Sequence, residues 1–364
     1  MIQLPAEPLF FEPIYFEKIW GGSLLKEKFN RQIASGQLIG ESWELSAFQA
    51  SQSVVSSGKN KGLTLSELTT HASEQLTGSL LNQFPLLIKF IDATERLSVQ
   101  VHPGHERTDS KTECWYVADA QKDAKLILGF NSDVTRGAIV SALESKSITS
   151  LLREVPITTG EMYFIPSGTV HAIMGNSLIY EVQQTSDTTF RLYDWDRCDS
   201  QNRPRPLHID EALQVIDMQG NLSYRIDPVV TEYSGYSHSL RVACRYFAVE
   251  EYRFFKQMEI KPIIRQSFRV VTVIEGTASV RYGNSESTLE KGRTILIPGI
   301  LKEISIFADA NSTLLVTFVP DLIEDIIGSL TAKKVSADKI ISLGGASREN
   351  HIQSILQENN AKCL

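Results

Sequence analysis

The sequence predicts a mainly β chain, organised as two jelly-roll barrels with a few helices packed around them. Three observations carry that expectation. Short β-rich runs recur between Gly, Pro and Asn turns, helical periodicity is confined to a few stretches, and one strand-and-turn pattern occurs twice.

In chain order, residues 41–46, 86–93 and 98–102 read as strands. Residues 113–117 and 125–130 read as a hairpin across the polar turn 119–123, and 160–166, 170–172 and 178–184 form a second dense group. Helical spacing appears at 64–81, with Ser66 and Glu67 near its start, at 134–152 as two short helices, and at 209–216. Residues 246–319 return to strands, with 270–276 and 292–298 separated by a hairpin at Tyr282-Gly283-Asn284. The repeated pattern is Gly160-Glu161-Met162-Tyr163-Phe164-Ile165-Pro166 and Gly292-Arg293-Thr294-Ile295-Leu296-Ile297-Pro298, each a strand ending in a turn of the kind that recurs in cupin-like barrels. The tail carries helical pieces at 321–330 and 349–357.

Composition narrows the function classes. A net charge of −7 supplies no electrostatic reason to bind nucleic acid or an anionic membrane, so an anionic ligand needs a local basic cluster. No apolar run reaches the length of a membrane span. Met1-Ile2-Gln3-Leu4-Pro5 lacks the basic region and apolar core of a signal peptide. Cys114, Cys198, Cys244 and Cys363 are scattered with no CxxC pair, which fits a reducing cytoplasm rather than a disulfide framework.

The chemistry concentrates around 97–103. Strand alternation puts Leu97, Val99 and Val101 on one face and Ser98, Gln100 and His102 on the other. Lys111-Thr112-Glu113 then adds an amine and a carboxylate, and Gly168-Thr169-Val170-His171 adds a second imidazole after a Pro166-Ser167-Gly168 turn. Gln100, His102, Glu113 and His171 make a plausible metal-ligand set if the fold brings them together, and such N/O donors suit zinc, iron, manganese or cobalt. The alternative is that each His merely bonds backbone at a strand end. Lys89 interrupts the apolar strand 86–91 and wants an anionic partner, either a nearby carboxylate such as Asp92 or Glu95, or a ligand phosphate. Glu181 shares a face with Gln183, opposite Tyr180 and Val182, where an inward carboxylate calls for a partner or a function. His71, His208, His238 and His351 read as surface residues, and His105, past the Pro103-Gly104 turn, is expected to point outward.

These stretches resemble type I mannose-6-phosphate isomerases in their short form, within the cupin superfamily. The matching motifs are 98–103, Lys111-Thr112-Glu113 and 168–172, supported by Trp20-Gly21-Gly22 and by Glu181 with 186–191. The resemblance covers about Pro13 to Trp195 well and the rest loosely; Thr112 stands where longer members carry Pro, and their large helical insertion before the second His is lacking.

The resemblance implies a zinc-dependent aldose–ketose isomerase interconverting mannose 6-phosphate and fructose 6-phosphate by proton transfer through a cis-enediol. Carried over by motif, Gln100, His102, Glu113 and His171 would hold a single zinc ion. Arg191, Glu181 and Lys111 would be catalytic, and Lys89 and Ser98 would lie near the substrate phosphate. The expected division is a catalytic cupin domain at 1–240, a second, metal-free cupin-like barrel at 241–320 and a helical tail at 321–364. The expected partner is a small sugar phosphate, with no nucleic acid and no membrane, in the cytoplasm. A non-catalytic sugar-binding cupin and a metal-dependent cupin oxygenase are the competing classes.

Overall fold

Among the described residues, twenty-four strands distribute over five sheets, every paired strand running antiparallel to its neighbour. The computed structural model describes residues 4, 6–104, 107–198, 202–261, 267–346 and 350–362. His105 lies outside the described residues.

Two of the sheets build the site. The six-stranded sheet runs Met162–Ile165, Glu113–Ala120, Ser177–Gln184, Leu86–Ala93, Ile14–Gly22, Ile39–Leu45, and the last strand also pairs directly with Leu86–Ala93. The five-stranded sheet runs Leu152–Pro156, Lys125–Phe130, His171–Ile173, Val99–Val101, Phe190–Tyr193. Trp20, Ile91, Trp115 and Val117 from the first meet Leu126, Leu128 and Ile173 from the second in one buried apolar cluster.

The expected jelly-roll barrels are not formed. Among the described residues, each strand order ends at two edges, and the edge strands of the six-stranded sheet make no pairing with those of the five-stranded sheet. The sheets are open and held face to face by side chains, not by a continuous ring of backbone hydrogen bonds. Alternation and strand-ending prolines look the same in both cases. Closure is decided by which edges meet, and that is a tertiary matter.

The same fact overturns the hairpin expected over 113–130. Glu113–Ala120 belongs to the six-stranded sheet and Lys125–Phe130 to the five-stranded one, so the intervening turn carries the chain from one sheet to the other. The hairpin at 282–284 does form, joining Ala278–Tyr282 to Ser285–Leu289.

The six-stranded sheet is buried on both faces, and alternation sorts its side chains. Lys89, Trp115 and Glu181 point toward the five-stranded sheet, whereas Phe90, Tyr116 and Tyr180 belong to the core shared with the rest of the chain. On that far side packs the seven-stranded sheet, whose central strands are Arg269–Glu275 and Thr313–Phe318. Polar contacts fix the docking: Tyr180 Oη lies 3.2 Å from Thr272 Oγ1, and Tyr116 Oη donates to Glu251 Oε1 at 2.7 Å. Leu9–Phe10 pairs with Thr294–Ile297, tying the start of the chain into this sheet.

Helices are few and locally specified. Leu65–Thr77 starts at a capping box in which Thr64 Oγ1 accepts from Glu67 N and Glu67 accepts from Thr64 N. Arg136–Glu144 with the short turn Ile148–Ser150, and Ile209–Val215, fall where helical spacing appeared. The tail forms a π-helical turn at Leu322–Gly328 and a helix at His351–Lys362. No helix among the described residues is long and apolar enough to cross a membrane.

Candidate active site and metal centre

The Trp20-Gly21-Gly22 motif has a packing reason. A Cβ on Gly21 would stand 2.7 Å from Leu38 O and Gly40 N, so only glycine lets this strand lie against its neighbour and set Trp20 in the pocket wall. The pocket itself opens between the two sheets and has a volume of about 320 Å³. Its polar wall combines Ser98 and Gln100 from the five-stranded sheet with Lys89, Lys111 and Glu181 from the other side.

At its inner end, His102, Glu113 and His171 place their ligating atoms within 4.8 Å of one another. Val99–Val101 is hydrogen-bonded beside His171–Ile173, with Gln100 opposite His171. Glu113 opens the neighbouring sheet's strand and brings its carboxylate in from across the gap. Glu113 and His171 are wholly buried, and His102 nearly so.

The hydrogen bonds settle which ring nitrogens are free. His102 Nδ1 lies 2.9 Å from Thr188 O, and His171 Nδ1 lies 2.9 Å from Thr169 O. A carbonyl only accepts, so each Nδ1 carries the proton and each neutral ring turns an Nε2 lone pair inward. Burial, with the Lys111 ammonium adding to it, holds His102 down at about 3, and burial likewise lowers His171, so both rings are neutral. Each Nε2 then faces a Glu113 carboxylate oxygen at 3.4 Å. Lone pairs confront lone pairs, and Glu113 Oε1 is buried without a hydrogen-bond partner. Two imidazoles locked in the ligating tautomer around an acceptor-only carboxylate are the donor set a divalent cation takes. Gln100 Nε2 lies 3.2 Å from His171 Nε2, and turning its terminal amide over presents the oxygen as a further donor. The residues fit a divalent metal.

Around this centre sit charges that a plain core would not tolerate. Lys111 Nζ is 3.0 Å from Glu113 Oε2 and 3.1 Å from His102 Nε2. Burial raises Glu113, yet the Lys111 ammonium outweighs it and holds the carboxyl well below its usual range. Glu181 accepts from Trp115 Nε1 at 2.7 Å and pairs with Lys89 at 3.0 Å. Burial and then the nearby Glu113 charge push its carboxyl up, against the pull of Lys89 and Lys111. Lys89 also lies 3.9 Å from Glu41. Glu41 is held at about 2 because Lys89 and Lys18, with the Trp43 indole, overcome the cost of burial.

The structure therefore brings Lys89, Ser98, Gln100, Lys111, Glu181 and Arg191 onto one pocket wall, with His102, Glu113 and His171 at its inner end. The carboxylate partner of Lys89 is Glu181 across the strand pair, not Asp92 or Glu95. Asp92 instead accepts from Leu25 N at 2.8 Å. Arg191 is half-buried, donates Nη1 to Pro206 O at 2.8 Å, and has its own N–H accepted by His208 Nδ1 at 3.2 Å. His208, read from sequence as a surface residue, is thus part of the frame that holds Arg191. Glu41, Trp115 and Arg205 line the pocket and were missed. Trp115 had a signal, since it lies two residues from Glu113 and so on the same strand face. Glu41 and Arg205 had none of that kind.

This geometry defines a class: a β-sheet protein with a buried two-His, one-Glu cation site at the end of a polar, mixed-charge pocket. Residues 9–125 match the family described as phosphomannose isomerase type I, catalytic domain, and residues 239–317 match the mannose-6-phosphate isomerase cupin domain. The chain is 38% identical over 319 residues to mannose-6-phosphate isomerase ManA of Bacillus subtilis (strain 168), covering 83% of this chain and 96% of that protein. It is 34% identical to the mannose-6-phosphate isomerase of Streptococcus mutans, covering 82% and 94% of the two chains. The crystal structure of the mannose 6-phosphate isomerase from Bacillus subtilis superposes with a TM-score of 0.78 at 34% identity, over 85% of this chain and 99% of that one. The chain belongs to the type I mannose-6-phosphate isomerase family.

Proposed function

We propose that the protein interconverts mannose 6-phosphate and fructose 6-phosphate with a single bound zinc ion. The observation that carries the reading is the pair of Nε2 lone pairs set against the unsatisfied Glu113 carboxylate, with Lys111 and Glu181 beside it. His102, His171, Glu113 and Gln100 would hold the metal. Bound there, zinc supplies Lewis-acid polarisation of the sugar's carbonyl and hydroxyl oxygens.

The protein's own groups supply the rest. Glu181 takes the proton from C2 of the aldose; the C–H electron pair becomes the C1–C2 double bond of the cis-enediol, and the carbonyl oxygen gains a proton. Return of that proton to C1, with the C2 hydroxyl proton passing to the Lys111 amine that protonated the C1 oxygen, gives the ketose. The raised carboxyl of Glu181 makes it a stronger base than an ordinary glutamate, and the Trp115 indole fixes its direction. Lys111 donates to the substrate oxygens, and Arg191 offers a permanent cation to the charge that develops on them. Ser98 and Lys89 donate toward the phosphate, although the charge of Lys89 is already answered by Glu181 and Glu41.

We assign residues 1–240 to the catalytic unit, 241–320 to a second β unit and 321–364 to a tail packed on them. The buried, unpaired thiols of Cys114 and Cys244 support a reducing cytoplasmic setting. Metal analysis combined with an assay that follows removal of fructose 6-phosphate tests the proposal. Stoichiometric zinc with mannose 6-phosphate turnover is the expected result. A metal-loaded protein with no isomerisation would leave a sugar-binding protein instead.

A further inference from the structure

The seven-stranded sheet holds the far face of the active-site sheet by a contact costlier than packing requires. Glu251 lies on Ala248–Phe254, 1% exposed, beside a core whose members are apolar, Val182, Val249 and Leu315 among them. A carboxylate buried there must be answered by donors. Tyr116 Oη donates to its Oε1 at 2.7 Å, Arg253 Nη2 to the same oxygen at 2.9 Å, and Arg241 Nη1 to Oε2 at 3.2 Å. Arg241 also donates through Nη2 to Gly160 O and sets its guanidinium 5.7 Å from the centre of the Tyr116 ring. Gly160 N in turn donates to Val117 O at 2.8 Å. The network therefore grips Glu113–Ala120 twice, by the Tyr116 side chain and by the backbone one residue on.

The other face of that strand carries the chemistry. Tyr116 and Tyr180 are register partners, and so are Trp115 and Glu181. Alternation turns the tyrosine pair toward the seven-stranded sheet and the other pair into the pocket. Trp115 Nε1 donates to Glu181 Oε2 at 2.7 Å, and its ring meets His171 edge-on with centroids 5.3 Å apart. One indole thus touches both the proposed base and the His171 imidazole, and it sits one peptide unit from Tyr116. Tyr180 is held more weakly, by the Thr272 and Thr317 hydroxyls at 3.2 and 3.4 Å. A bond to an ionised acceptor is roughly twice as strong as a neutral one, so Glu251 dominates the grip.

We propose that Glu251 is a positioning residue for the isomerisation: from outside the pocket it fixes, through Tyr116, the direction of the Trp115 indole toward Glu181 and His171. This rests on the isomerase reading above and extends it. The seven-stranded sheet becomes part of the catalytic apparatus, although none of its strands lines the pocket among the described residues.

The test is steady-state kinetics with mannose 6-phosphate on wild type, Tyr116→Phe, Glu251→Gln and Glu251→Ala, each checked for bound metal. Tyr116→Phe removes one hydroxyl and leaves Glu251 to its two arginines, so it decides the matter if Glu251→Ala does not fold. A misplacement of about 1 Å costs on the order of a hundredfold, so the smaller shift here should lower kcat roughly threefold to thirtyfold. KM and bound metal should stay within about twofold of wild type, because the indole orients the base and not the bound sugar. Glu251→Gln, which keeps an acceptor for Tyr116, should retain more kcat than Glu251→Ala. Combining Tyr116→Phe with Glu251→Gln should cost no more than the worse single change, since both act along one path. A kcat within twofold of wild type in Tyr116→Phe, or a fall matched by lost metal or raised KM, overturns the positioning role and leaves the isomerase reading standing. If wild type isomerises no hexose 6-phosphate, that reading fails instead, and the indole N–H proton resonance of Trp115 decides the positioning alone. Assigned by its loss in Trp115→Phe, it should move toward the free-indole value in Glu251→Gln, whose change lies on the opposite face of the sheet; a resonance unmoved there overturns the proposal.

Discussion

Lys89 and Glu181 are cross-strand register partners in the six-stranded sheet, and their side chains meet at 3.0 Å in a buried ion pair on the pocket wall. One charge of the pair is the proposed base, and the other holds that base in place. Removing the ammonium leaves Glu181 facing Glu113 with less compensation, which pushes its carboxyl higher still. Lys89→Met should move the acid limb of kcat/KM to higher pH, since more of the base is protonated at any given pH. It should also raise KM for mannose 6-phosphate. A pH–rate profile superimposable on wild type would show that Lys89 does not act on Glu181.

Glu181→Gln preserves shape and an acceptor for the Trp115 indole but removes the proton acceptor. kcat should fall by roughly two to four orders of magnitude, with bound metal unchanged. Exchange of the substrate C2 proton with solvent should fall in step. Lys111→Met is the control: exchange that survives in Glu181→Gln and vanishes in Lys111→Met makes Lys111 the base.

His102→Ala and His171→Ala each take one neutral nitrogen from the Glu113 carboxylate. Both should lose most bound zinc and nearly all activity while remaining folded, as judged by circular dichroism. The wild-type protein should melt at higher temperature with metal than after chelation, because a ligand bound only by the folded state stabilises it. Stoichiometric zinc in both variants would refute the ligand assignment.

Asp92 gives a pH dependence of stability independent of the metal. Burial, helped by Glu27, pushes its carboxyl up to about 7, although backbone donors from Leu25 and Leu24 pull the other way. A carboxyl with a raised folded pKa binds more protons folded than unfolded. Its stabilising contribution is full below the usual carboxylate range and is lost as pH climbs to about 7. Asp92→Asn keeps an acceptor for the Leu25 N–H and carries no charge. The denaturant midpoint of wild type should fall across that pH window, and the variant should show a flatter profile with a higher midpoint at pH of about 8. Parallel profiles would remove Asp92 from the account.

Much of the site was legible in the chain because it depends on local rules. Period-two alternation puts Ser98 and Gln100 on one face whatever the sheet does next, and His102 follows them toward the metal centre. It also turns Glu181 inward beside an apolar Tyr180 that faces away. The helix at Leu65–Thr77 is written in its Thr64–Glu67 cap, and the turn at Gly283-Asn284 in its own residues. Other features depend on which surfaces meet. Whether 113–130 forms a hairpin or crosses between sheets turns on long-range pairing: Glu113–Ala120 finds Ser177–Gln184 and Met162–Ile165, and Lys125–Phe130 finds His171–Ile173 and Leu152–Pro156. The sheets stay open for the same reason, since closure needs two edges to meet and no local residue pattern specifies that. Glu41 and Arg205 entered the pocket wall only when distant segments packed, and their charges have meaning only beside Lys89 and Asp194. Backbone geometry repeats along a strand and can be read from its residues; charge pairing between segments far apart in the chain, as between Glu41 and Lys89 or Lys89 and Glu181, is set by tertiary contact alone.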